Sequence, residues 1–141
     1  MNINKKYIAK HFGYIIQDQI KGTSILSTLK FLRESQYWDE TKVYDYRLFK
    51  LKSLIDYASK NVPYYENLFK KIKLTSDDIK SLDDIYKIPI LTKEVFRKEN
   101  LNLISRIYSK KNIKKGKTGG TTGAPVILFK DVYNRSFTWA S

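Results

Sequence analysis

A single stripe of apolar residues between positions 44 and 62 constrains the fold more than any other feature of this sequence. Its members follow one another at alternating intervals of four and three residues, as on one face of an α-helix: Tyr44, Leu48, Leu51, Ile55, Ala58 and Val62. Asp39 is a suitable N-cap for this helix, and Pro63 is a suitable stop. Because the stripe is short and lacks the flanking charges of a coiled coil, it predicts a helix packed on a domain core.

Shorter elements are predicted after this helix. Residues 64–69 are predicted to form a short aromatic turn of helix, and Thr75 and Ser81 each have an aspartate three residues on, which is the spacing of a capping box. Residues 88–91 are predicted to be extended, since the residue before a proline avoids the α region, and Thr92 is predicted to cap a helix through about residue 99. The sequence therefore indicates short helices joined by tight turns.

The character of the chain changes at residue 105. Six basic residues precede a glycine cluster with no acidic residue between them: Arg106, Lys110, Lys111, Lys114, Lys115 and Lys117. The cluster itself, TGGTTGAP, occupies residues 118–125, and an apolar run occupies residues 126–129. This order predicts a strand, a glycine-rich loop and a second strand, followed by a helix that Asp131 opens.

Composition excludes several classes of protein and is compatible with a nucleic-acid-binding module. The absence of cysteine excludes disulfides, cysteine zinc sites and thiol nucleophiles, and a single histidine, His11, excludes a histidine-rich metal cluster. No signal peptide or membrane-spanning run is found, so we expect a cytoplasmic protein. The net charge of +13 suits a small basic nucleic-acid-binding module, although the predominance of lysine over arginine is also typical of an AT-rich coding sequence.

The glycine cluster indicates phosphate binding. Glycine lets the main chain approach an anion closely, its amides can converge on one point, and threonine hydroxyls add further donors. A triphosphate is the ligand that suits this chemistry, while a hairpin with a glycine-rich turn is the purely structural alternative. The Walker A pattern fails because its first glycine would fall at Lys111, and no register fits the dinucleotide fingerprint.

The same eight residues resemble the phosphate-binding signature of adenylate-forming enzymes. That signature runs Ser/Thr, Ser/Gly, Gly, Ser/Thr, Thr, Gly, any residue, Pro, and residues 118–125 fit every position. The segments LKSLIDYASKNVPYYENLF at 51–69 and SLDDIYKIPILTKEVFRKEN at 81–100 resemble the leading segments of phenylacetate-CoA ligase relatives. FLRESQYWDE at 31–40 is most similar to the CapK group, which is associated with capsular polysaccharide biosynthesis.

The resemblance implies an ATP-dependent, AMP-forming carboxylate ligase. Such enzymes use ATP and Mg²⁺ to convert a carboxylic acid into an acyl-adenylate, and in the phenylacetate branch the acyl group then passes to coenzyme A. The implied phosphate-binding residues are three hydroxyl donors and three positions of close approach: Thr118, Thr121, Thr122, Gly119, Gly120 and Gly123. Many family members have lysine where this chain has Ala124, and Lys117 is expected to substitute for it in part.

The implied fold is α+β and mainly helical. Residues 1–104 would form a helical lead segment, and residues 105–141 a strand, the glycine-rich loop, a strand and a helix, together the start of the large N-terminal domain of an adenylate-forming enzyme. The family's adenine, ribose, magnesium and catalytic lysine positions would lie beyond Ser141, so no catalytic or metal-binding residue is assigned. We therefore expect an N-terminal fragment, inactive alone, that is either a truncated gene product or one part of a split enzyme with a complementary C-terminal chain as its partner. The substrate acid and the acyl acceptor are not determined by the sequence.

Overall fold

The structure, a computed structural model, describes residues 25–108, 113–117 and 126–131 and combines helices with a two-stranded antiparallel hairpin. In chain order its elements are α1 (Ile25–Ser35), α2 (Glu40–Asn61), α3 (Pro63–Ile72), two 3-10 helices (Ser76–Asp78 and Leu82–Lys87), α4 (Lys93–Lys98), β1 (Lys114–Lys117) and β2 (Ile127–Lys130). They divide between two compact units, one of which is Asp39–Phe129. The predicted α+β, mainly helical class is confirmed at this level.

Helix α2 begins and ends where the sequence predicts. The Asp39 carboxylate accepts a hydrogen bond of 2.7 Å from the backbone N–H of Lys42 and so satisfies one of the free amides of the first turn. At the other end, Val62 adopts an extended conformation, because the following Pro63 disfavours the α region. Pro63 then opens α3 at a position where its missing N–H has no helical partner to lose.

The core of the larger unit lies against the second half of α2. Ile55, Ala58 and Val62 are buried there, together with three residues that follow along the chain: Phe69, Leu74 and Ile79. Leu48 and Leu51 are partly buried against this cluster.

One member of the predicted stripe does not reach the core. Tyr44, which the apolar spacing assigns to the buried face, is 42% exposed. The reason is length, since α2 has 22 residues and α3 turns back along it for only 10 residues, or about 15 Å. The start of α2 extends past the elements that cover its other end.

Helix α3 is longer than the predicted aromatic turn. It continues to Ile72, and an ion pair of 2.6 Å between Glu66 and Lys70 links its successive turns. The helix ends at Lys73, whose φ of 53° lies in the left-handed region that glycine usually occupies at this position.

The two predicted capping boxes are present on the 3-10 helices. Thr75 and Ser81 each exchange hydrogen bonds with the aspartate three residues later, Asp78 and Asp84. Thr92 caps α4, since its hydroxyl accepts from the N–H of Val95 at 3.3 Å. The short helices predicted from these polar patterns are thus confirmed.

The other unit is described through α1 and the turn that follows it. The rings of Phe31 and Trp38 meet edge to face, with centroids 5.6 Å apart. The helix that Asp131 is predicted to open lies outside the described residues. Among the helices that the structure does describe, none has both the length and the apolar character needed to cross a membrane.

Candidate phosphate-binding site

Two paired strands stand on either side of the glycine cluster in the sequence. β1 ends at Lys117, directly before residues 118–125, and β2 begins at Ile127, two residues after them. The two predicted strands are therefore confirmed, whereas the loop predicted between them stays a prediction. Six of the predicted phosphate-binding residues lie outside the described residues: Thr118, Gly119, Gly120, Thr121, Thr122 and Gly123.

Lys117 is the one predicted site residue that the structure describes. It is exposed, as are Lys114 and Lys115 on the same strand. Within the described parts of the chain, none of these three ammonium groups forms an ion pair. The strand that precedes residues 118–125 therefore carries exposed positive charge, which attracts anions.

Gly116 lies among the lysines of β1, but no described neighbouring atom comes so close that only glycine would fit. A Cβ atom built there would lie 4.0 Å from the Leu128 carbonyl oxygen across the hairpin, which is an ordinary van der Waals distance. Alanine can therefore occupy position 116 without displacing its neighbours.

The segment after α4 connects the helices to this hairpin. The N–H of Arg106 donates to the Asn61 carbonyl at 2.8 Å, and the N–H of Tyr64 donates to the Asn102 carbonyl at 3.0 Å, so the segment is held where α2 meets α3. From the same segment, the Asn100 side-chain amide donates to the Ile127 carbonyl at 2.8 Å. Sequence reasoning did not single out Asn100, because a lone asparagine in an aperiodic segment carries no pattern.

An ion cluster secures the same segment to α3. The Arg106 guanidinium lies 2.6 Å from one oxygen of Glu66, and the Lys70 ammonium lies 2.6 Å from the other. The hydrogen bond from Lys70 and that from Arg106 hold the pKa of the Glu66 carboxyl below its usual value. Neither Glu66 nor Arg106 could be assigned this role from sequence, since 40 positions separate them.

A second feature of this unit is an apolar groove with a volume of about 770 Å³. Its lining comes from α2, α3, the second 3-10 helix and the extended residues after it, and it includes Leu54, Tyr65 and Ile85. Tyr86 and Ile90 on its wall are 87% and 89% exposed. Burial of Tyr65, with a smaller effect of its neighbour Tyr64, raises the pKa of the Tyr65 hydroxyl.

The described residues offer no metal centre. Within residues 25–108, 113–117 and 126–131, no three His, Cys, Asp or Glu side chains come together in a way that could hold a metal ion. No described residue is therefore assigned to Mg²⁺. No protein-family profile matches the chain, and no curated protein is significantly similar to it.

Proposed function

We propose that this chain takes part in the ATP-dependent activation of a carboxylic acid, and that its own contribution is to bind the phosphates of ATP through residues 117–123. The reaction class is that of an AMP-forming ligase of the phenylacetate-CoA ligase and CapK type, with coenzyme A as a candidate acceptor. The observation that carries the proposal is the position of the complete eight-residue signature between two paired strands, β1 and β2.

The chemistry of adenylation explains why such a loop is needed. A carboxylate that attacks the α-phosphate is repelled by a triphosphate of the same sign, and pyrophosphate must leave in line with the attack. Backbone amides at Gly119, Gly120 and Gly123 and the adjacent threonine hydroxyls would hold the β- and γ-phosphates. Exposed Lys117 would lower the cost of bringing this charge to the protein.

The second candidate function is binding of single-stranded nucleic acid. The observation that favours it is the exposure of Lys114, Lys115 and Lys117 along one strand with no carboxylate partner among the described residues. Such a surface attracts any polyphosphate backbone, and the resulting affinity falls steeply with added salt.

One pair of variants separates these functions. Gly120→Ala alters the signature, whereas Gly116→Ala changes a glycine on the flanking strand that has room for a methyl group. We expect Mg·ATP to bind the wild type and Gly116→Ala equally and Gly120→Ala about tenfold more weakly, since a hydrogen bond to a charged group is worth about 1.5–3 kcal/mol. The dissociation constants are measured by isothermal titration calorimetry at fixed ionic strength.

The nucleic-acid alternative predicts the opposite pattern. An oligothymidylate would bind all three proteins with the same affinity, and that affinity would fall with a log–log salt slope equal for wild type and Gly120→Ala. The ligase proposal would be overturned if the wild type showed no saturable binding of Mg·ATP.

A further inference from the structure

The Asn100 side chain forms a hydrogen bond between the turn after α4 and the strand that follows the glycine cluster. Its Nδ2 lies 2.8 Å from the carbonyl oxygen of Ile127, and the contact is partly buried. Because a carbonyl oxygen can only accept, the nitrogen of the carboxamide and not its oxygen must face Ile127.

The turn that carries Asn100 is itself fixed at a second point. Ser105 is buried, and its hydroxyl lies 2.7 Å from the hydroxyl of Tyr57 on α2. The Arg106 guanidinium is paired with Glu66 on α3. Asn100 therefore extends from a segment that is secured to both long helices of this unit.

We propose that Asn100 is a positioning residue for phosphate binding, in that it fixes β2, the strand that follows residues 118–125 in the sequence, to the helical part of this unit. This inference rests on the proposed function. Ile127, which accepts the hydrogen bond, follows Pro125 by two residues, so the contact acts next to the end of the signature.

The physical need for such an anchor follows from the size of the hairpin. Each strand has four residues, and an isolated two-stranded hairpin is at best marginally stable in water. Pairing of β1 with β2 joins the two strands that flank the glycine cluster to each other but does not join either strand to the helices. A contact between the hairpin and the helical part therefore lowers the conformational entropy that would be lost when phosphate binds.

The test compares two asparagines on one turn. Asn100→Leu keeps the size of the side chain and removes the donor to Ile127. Asn102→Leu is the matched control, because the Asn102 carboxamide donates a hydrogen bond of 2.8 Å to Glu99, within the same turn, and not to β2. We expect Asn100→Leu to raise the dissociation constant of Mg·ATP about three- to tenfold, and Asn102→Leu to leave it within twofold of wild type, at equal helix content by circular dichroism.

Hydrogen exchange supplies a readout that does not depend on nucleotide. Amide exchange at residues 127–129 of the full chain is expected to be faster in Asn100→Leu than in Asn102→Leu. If exchange at these amides is unchanged in Asn100→Leu, the Asn100 side chain does not hold β2 and the proposal is wrong. If both variants lose Mg·ATP affinity equally, the effect of Asn100→Leu is merely structural and the proposal is also wrong. If the anchor holds by exchange while the wild type fails to bind Mg·ATP, the proposed function falls, and the positioning role falls with it.

Discussion

The hydroxyl oxygens of Tyr57 and Ser105 lie 2.7 Å apart, although 48 positions separate the two residues in the chain. Ser105 is only 8% exposed, so water cannot readily replace this partner. The hydrogen bond joins the last quarter of α2 to the segment that also carries Asn100 and Arg106. It is thus one of the contacts that connect the long helix with the hairpin region.

Removal of the Tyr57 hydroxyl should destabilise the protein. We expect Tyr57→Phe to lower the free energy of unfolding by about 1 kcal/mol, because it leaves the buried Ser105 hydroxyl without its strongest partner. Tyr37→Phe is the matched control, since Tyr37 is 83% exposed and should give no change. Urea unfolding measures both, and equal stability of the two variants would contradict the role of this hydrogen bond.

The ion cluster around Glu66 predicts a pH dependence. Lys70 and Arg106 hold the pKa of Glu66 below its unfolded value of about 4.3. For a carboxyl with a lowered folded pKa, the unfolded state binds more protons in this range, so the stabilisation is complete above that value and is lost as the pH falls through the folded pKa.

The measurement is the difference in unfolding free energy between wild type and Glu66→Gln from pH 7 to pH 3. We expect the difference to be constant above about pH 5 and to shrink below about pH 4.3. Arg106→Gln should reduce the same pH-dependent difference, because it removes one of the two cations. A difference that stays constant down to pH 3 would contradict the cluster.

The left-handed residue at the end of α3 predicts a stabilising substitution. Lys73 has φ 53° and ψ 40°, a conformation that costs a residue with a side chain about 1–2 kcal/mol. Lys73→Gly should therefore raise the free energy of unfolding by about 0.5–1 kcal/mol, after the larger entropy of glycine in the unfolded chain is counted. Lys71→Gly, two residues earlier and within the helix, should lower it by a similar amount. The same sign for both variants would be incompatible with this geometry.

Two isoleucines, one in the core and one on the wall of the apolar groove, should differ in their contribution to stability. Ile79 is fully buried, whereas Ile90 is 89% exposed on the groove wall. Ile79→Ala should lower the free energy of unfolding by about 2–5 kcal/mol, and Ile90→Ala should change it by no more than about 0.5 kcal/mol. Thermal unfolding followed by circular dichroism checks both, and a large loss in Ile90→Ala would show that the groove is closed in solution.

Local signals predicted most of the helical part. The Asp39 cap, the stop at Pro63 and the two capping boxes depend on contacts within three or four residues, which sequence spacing reports directly. The exposure of Tyr44 could not be predicted, because it depends on how far α3 extends along α2 and not on the spacing within α2.

The contacts of the segment after α4 were beyond sequence reasoning for a different reason. The partners of Asn100, Ser105 and Arg106 lie 27, 48 and 40 positions away, and hydrogen bonds between such distant single residues leave no periodic pattern. The glycine cluster is the reverse case, since its order of residues carried the prediction and only its flanking strands are described.

The proposed function depends most directly on the binding of ATP phosphates by residues 117–123. The most direct measurement is an ¹⁵N NMR titration of the full chain with Mg·ATP, in which each backbone amide reports its own environment. We predict saturable shifts concentrated at residues 117–123, lost in Gly120→Ala and retained in Gly116→Ala. Shifts that are absent from this segment, or that an oligothymidylate reproduces across the lysines of β1, would contradict the claim.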